Sequence, residues 1–111
     1  MDERILNVGL DLAMEFGKNW LQPIQQRLAK KFPKLSPAEL DEYERACREA
    51  MVFGHAQVPV QWKRADGQEK TARRLFDEVV LAAHPWITAT NLSHLFSQGC
   101  YYAAKDGEIA V

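Results

Sequence analysis

A chain of 111 residues, 47% hydrophobic and 26% charged, is long enough to bury one modest core and has the composition of an ordinary globular protein. Its formal net charge of -1 gives no general attraction to nucleic acid or to an anionic membrane surface. Two cysteines, Cys47 and Cys100, are too few for a disulfide framework and lack the paired spacing of a zinc site, so buried free thiols are expected.

The opening Met1-Asp2-Glu3-Arg4 has neither the basic leader nor the apolar run of a secretory signal. No stretch approaches the roughly 18 uninterrupted apolar residues of a membrane helix. A soluble, cytoplasmic protein with no membrane partner is the expectation.

The first helix is predicted to start at Asp2 or Glu3 and run to about Trp20. Ile5, Leu6, Val8, Leu12, Ala13, Phe16 and Trp20 recur at three- and four-residue steps, the signature of one apolar stripe. Gly9 and Gly17 weaken the helix but permit close approach of a partner backbone. Leu10, Met14 and Leu21 extend the apolar surface beyond that stripe, which suggests a face sheltered by a second copy.

Pro23 interrupts the pattern and restarts it, with Ile24, Leu28 and Phe32 at helical spacing and Arg27, Lys30 and Lys31 toward the end. Ser36-Pro37-Ala38-Glu39 is the strongest local signal. Ser36 can cap the free amides, Pro37 suits the first helical position, and Glu39 can reach back to the cap. The helix that follows places Leu40, Tyr43, Cys47, Ala50 and Met51 on one side and is predicted to end near Gly54. Asp41 with Arg45, and Glu44 with Arg48, are acid-before-base pairs four residues apart.

Residues 56–66 read as the one long irregular stretch, because Pro59 breaks the alternation of Val58, Val60 and Trp62. Asp66 and Glu69 then resemble a cap for a helix with Ala72, Leu75, Phe76, Val79, Val80 and Ala83 inward, stopped by His84-Pro85. Thr88 or Thr90 opens a last helix with Leu92, Leu95, Phe96, Gly99 and Ala103 on its inner face, ending at Asp106-Gly107. These elements predict an all-α fold, a compact bundle of four or five helices forming a single domain over residues 1–111.

The chemistry is sparse. His55, His84 and His94 fall in separate elements, and no Glu or Asp stands three residues before a histidine, so no metal site is expected. His94 and Cys100 face different sides of one helix, adjacent carboxylates diverge, and glycine-rich phosphate loops are absent. Neither a cofactor nor a catalytic activity is expected. The favoured reading is a protein-interaction or regulatory module, homodimeric or binding another protein through aromatics outside the stripes: Trp62, Trp86, Tyr101 and Tyr102.

The alternative is a helix-turn-helix DNA-binding protein. It would read bases with residues 88–98, through Thr90, Asn91, Ser93 and His94, and neutralise phosphates with Lys63, Arg64, Lys70, Arg73 and Arg74. Against it stand Pro85-Trp86 in the turn and the following Asp77 and Glu78, which offset Arg73 and Arg74. A ligand or enzyme pocket lined by Tyr43, Cys47, His94 and Tyr102 is the third and least supported possibility.

Overall fold

The computed structural model describes residues 1–110. It contains α1 (Glu3–Ala13), a 3-10 turn (Gly17–Asn19), α2 (Gln25–Lys31), α3 (Pro37–Arg64), α4 (Glu69–Ala83) and α5 (Ala89–Lys105). No strand occurs among the described residues. The fold is all-α with five α-helices, as the periodicity predicts. Its residues group into two compact units, Met1–Met51 and Val52–Val111, with the boundary inside α3.

In the first unit, Asp2 caps α1: its carboxylate accepts the amides of Arg4 at 2.8 Å and Ile5 at 3.3 Å. The helix ends at Ala13 instead of continuing to about Trp20. Two features oppose continuation toward Trp20. Gly17 takes the left-handed conformation at φ 82°, and the Arg27 guanidinium donates to the Leu12 carbonyl at 3.1 Å, giving a helix-end acceptor its partner. Phe16 is consequently exposed and meets the Trp20 ring at 5.3 Å, tilted by 48°, instead of joining the core.

Leu10 and Met14 are fully buried, so they do not form the excess apolar surface expected of α1. Only Leu21 of that trio is exposed, held at φ 64°. Gly9 does serve close approach, since a Cβ there would lie 2.7 Å from Cys47 Sγ. The Cys47 thiol donates to the Leu6 carbonyl at 3.3 Å.

The capping box at the start of α3 forms as predicted. Ser36 N–H donates to Glu39 Oε1 at 2.9 Å, and Glu39 N–H donates to Ser36 Oγ at 3.1 Å. Glu44 and Arg48 pair at 2.8 Å, whereas Asp41 accepts from Gln25 Nε2 at 3.2 Å.

In the second unit, α3 does not end near Gly54. It runs to Arg64, so residues 56–64 are helical and the irregular stretch predicted for 56–66 shrinks to a tight turn. Pro59 removes one helical amide, a loss of about 3 kcal/mol in an isolated helix. Burial opposes that loss: Gly54, Val58, Gln61 and Trp62 are all buried on the inward side of α3. The helix closes through Asp66 at φ 53° and Gly67 at φ 77°, with Gly67 N–H donating to the Trp62 carbonyl at 3.0 Å. Asp66 therefore terminates α3 and does not cap α4. Gln68 holds the N-cap position of α4 with no side-chain capping bond.

Ala72, Phe76 and Val80 of α4 are buried as expected, while Ala83 is exposed. Thr88 caps α5 by accepting the Asn91 amide at 3.4 Å. The predicted inner face of Leu92, Leu95, Phe96, Gly99 and Ala103 is buried throughout. Phe76 and Phe96 meet edge to face at 5.1 Å.

A candidate interaction face on α3 and α5

The exterior of α3 changes character along its length. Its N-terminal half exposes Glu39, Asp41, Glu42, Arg45 and Glu49, an ordinary solvated surface. Between Glu49 and Lys63 the sequence holds no Asp, Glu, Lys or Arg. Yet Val52, Ala56 and Val60 face outward there, with Val52 at 57% and Val60 at 50% exposure. Four-residue steps place the three on one side of the helix. A solvent-facing stripe without charge is unusual on a surface helix, whose outer side is ordinarily polar.

Two glycines let α3 lie close against α5 within this unit. A Cβ on Gly54 would meet Leu95 Cγ at 2.7 Å, and one on Gly99 would meet Val58 Cγ2 at 2.5 Å. His55 Nε2 lies 2.8 Å from Gln98 Oε1, so this ring nitrogen donates to the buried amide oxygen. Burial is the main cause that holds the His55 imidazole below its ordinary pKa of 6.5; the Gln98 hydrogen bond opposes it and the charge of His94 reinforces it. At neutral pH His55 is an uncharged wall of the surface.

Beside the stripe lies an open groove of about 1170 Å³, formed by the second half of α3, the end of α5 and residues 106–110. Trp62 and Ile109 are buried at its base, and Trp62 stacks on Phe96 at 6.5 Å. The backbone after α5 returns to cover this end: Glu108 N–H donates to the Ala103 carbonyl at 2.8 Å. Around the mouth stand Val60, Lys63, Asp66, Asp106 and Glu108, three carboxylates against one ammonium. Tyr102 forms a wall with its ring 5.8 Å from His55, and Tyr101 meets Tyr102 at 5.2 Å.

The aromatics singled out from sequence separate into three situations. Tyr101 is 56% exposed and Tyr102 half-buried, with their rings in edge contact. Trp62 is only 8% exposed: because its segment is helical, the ring turns inward and supports the groove instead of projecting from a loop. Trp86 is half-buried in the α4–α5 connection, edge-on to His84 at 6.1 Å, and does not line the groove.

The residues proposed for DNA contact are less well placed. Thr90 and Ser93 are exposed and His94 is half-buried, but Asn91 is 7% exposed and does not present its amide outward. Ser93 accepts from Arg73 at 3.1 Å. Arg73 pairs with Asp77 at 2.8 Å and lies over the Phe96 ring, and Arg74 pairs with Glu78 at 3.0 Å. Two of the five expected phosphate-neutralising cations are thus engaged with carboxylates. Of the residues suggested for a ligand pocket, Tyr43 and Cys47 are buried in the first unit while His94 and Tyr102 belong to the second. Burial raises the Cys47 thiol to about 12 and Cys100 to about 11, so neither is a nucleophile near neutral pH.

The sequence reading missed Val52, Ala56 and Val60. Their signal was present in the charge gap between Glu49 and Lys63, hidden once that segment was read as a loop. Among the described residues no helix is long and apolar enough to cross a membrane, and no group of three or more His, Cys, Asp or Glu could hold a metal ion. Comparison with protein-family models, with curated proteins and with solved structures finds no match to this chain.

Proposed function

We propose that this chain is a protein-interaction module whose contact surface is the outer side of α3 between Val52 and Val60, together with the adjoining groove. One observation carries the reading: a helix that is conventionally charged over its first half presents exposed valines and no charge between Glu49 and Lys63. Removing two half-exposed valines from water favours association at roughly 25 cal/mol per Å² of apolar area covered. The groove is open, which suits the side of a helix better than a small molecule that must be enclosed.

A synthetic amphipathic helix of alternating Leu and Lys faces is a direct probe. In two-dimensional NMR of the dilute protein it should shift amides of His55, Gly67, Gly99 and Ala103, with Val60→Asp weakening the effect at least tenfold. Shifts that are absent, scattered over the surface, or unchanged in Val60→Asp would refute the reading. DNA recognition gains no comparable support, since Asn91 is buried and Arg73 and Arg74 are paired.

A further inference from the structure

The uncharged stripe is self-complementary. Counted from Ala56, Val52 lies four residues before and Val60 four after; Glu49 lies seven before and Lys63 seven after. All five are exposed positions of the one helix α3. Steps of three and four residues keep them on a single side, the seam geometry of paired helices. Two such helices laid antiparallel about Ala56 oppose Val52 with Val60 twice, and Glu49 with Lys63 twice. The same two helices in parallel would set Glu49 against Glu49 and Lys63 against Lys63, which is repulsive. Alanine at the centre, where the axes come nearest, lets the backbones approach without steric conflict.

We infer that the occupant of this surface is a second copy of the chain, paired through α3 antiparallel about a twofold axis at Ala56. The inference rests on the interaction-module reading and specifies its partner. An isologous contact uses the same patch on both subunits, so each favourable opposition occurs twice and assembly stops at the dimer. The ends of the seam are charged with opposite sign and enter no ion pair among the described residues, leaving Glu49 and Lys63 available to a partner. Further along α3, toward the N-terminus, the exposed charges of Asp41, Glu42 and Arg45 have no apolar stripe between them. The seam is therefore confined to the span between Glu49 and Lys63.

Sedimentation equilibrium of the whole chain over a wide concentration range should show a monomer–dimer equilibrium. Val60→Asp, at a half-exposed site that the fold tolerates, should weaken it by about 30-fold, the effect of losing a central contact. Glu49→Lys and Lys63→Glu should each weaken it about fivefold, and the double exchange should restore it. Register is tested with oxidised glutathione as oxidant. Ala56→Cys should crosslink to itself, whereas Val52→Cys should crosslink to Val60→Cys in a mixture and poorly to itself. The wild-type protein, with Cys47 buried and Cys100 half-buried, sets the background. A monomer at the highest concentration reached would overturn the inference, while binding of the Leu/Lys probe in that case would leave the interaction-module reading standing. A dimer indifferent to Val60→Asp, or one in which Ala56→Cys does not crosslink, would also overturn it.

Discussion

Gly54→Ala tests the close contact that turns the stripe of α3 outward. On helix propensity alone the substitution should stabilise an α-helix by about 1 kcal/mol. The structure predicts the opposite sign. The added methyl would lie 2.7 Å from Leu95 Cγ and 3.0 Å from Leu95 Cδ1, and Leu95 is fully buried. Overpacking of this kind costs about 1–3 kcal/mol, leaving a net loss of up to about 2 kcal/mol after the propensity gain. Leu95→Ala alone should cost about 2–5 kcal/mol through its cavity. In the double variant the new methyl occupies part of that cavity, so the combined loss should fall short of the sum by about 1 kcal/mol or more. Urea denaturation followed by circular dichroism measures all four proteins. A Gly54→Ala protein more stable than wild type, with strict additivity in the double variant, would show that α3 and α5 do not touch at this point.

Three further outcomes follow from particular side chains. His55 is held below its ordinary 6.5, chiefly by burial, so the unfolded chain binds its proton more readily than the folded one. Stability should be complete above that ordinary value and fall as the pH drops through it toward the folded one. His55→Gln should flatten this loss in denaturation midpoints compared at neutral and mildly acidic pH, and an equal loss in both proteins would contradict the assignment. Cys47, raised to about 12 and buried, should react with an aromatic disulfide reagent only after denaturant is added, with half-buried Cys100 reacting first. Rapid native labelling of Cys47 would show that α1 does not cover it. Leu21 is exposed at φ 64°, a conformation that asparagine tolerates better, so Leu21→Asn should gain about 0.5–1 kcal/mol. A lower melting temperature would argue against that backbone geometry.

What the sequence disclosed was what short-range chemistry decides. The Ser36/Glu39 box, the Thr88 cap and the inner face of α5 each depend on residues within a few positions, and each forms. The errors arose where distant residues overrode local preference. Arg27 lies 15 positions from the Leu12 carbonyl it satisfies, and no local pattern announces that bond. Pro59 and Gly54 are poor helix residues in isolation, but Val58 and Trp62 bury their side chains when the helix continues, and Gly54 gives Leu95 the room it needs. The spacing of Cys47, Met51, Gly54, Val58, Trp62 and Ala65 carried this continuation in three- and four-residue steps. Reading the breakers before the periodicity concealed it. The same misreading turned Trp62 outward and removed Val52, Ala56 and Val60 from view, so the strongest surface feature became legible only once α3 was seen to run unbroken to Arg64.

Methyl NMR with a soluble gadolinium chelate compares concentrated and dilute samples of the same protein. At concentrations that favour association, the Val52 and Val60 methyls should be shielded from the chelate while those of exposed Leu21 stay fully relaxed; on dilution all three should relax alike. Val52 and Val60 methyls that remain as accessible as Leu21 at every concentration, and with every helical probe added, would contradict the claim that the uncharged side of α3 is a contact surface.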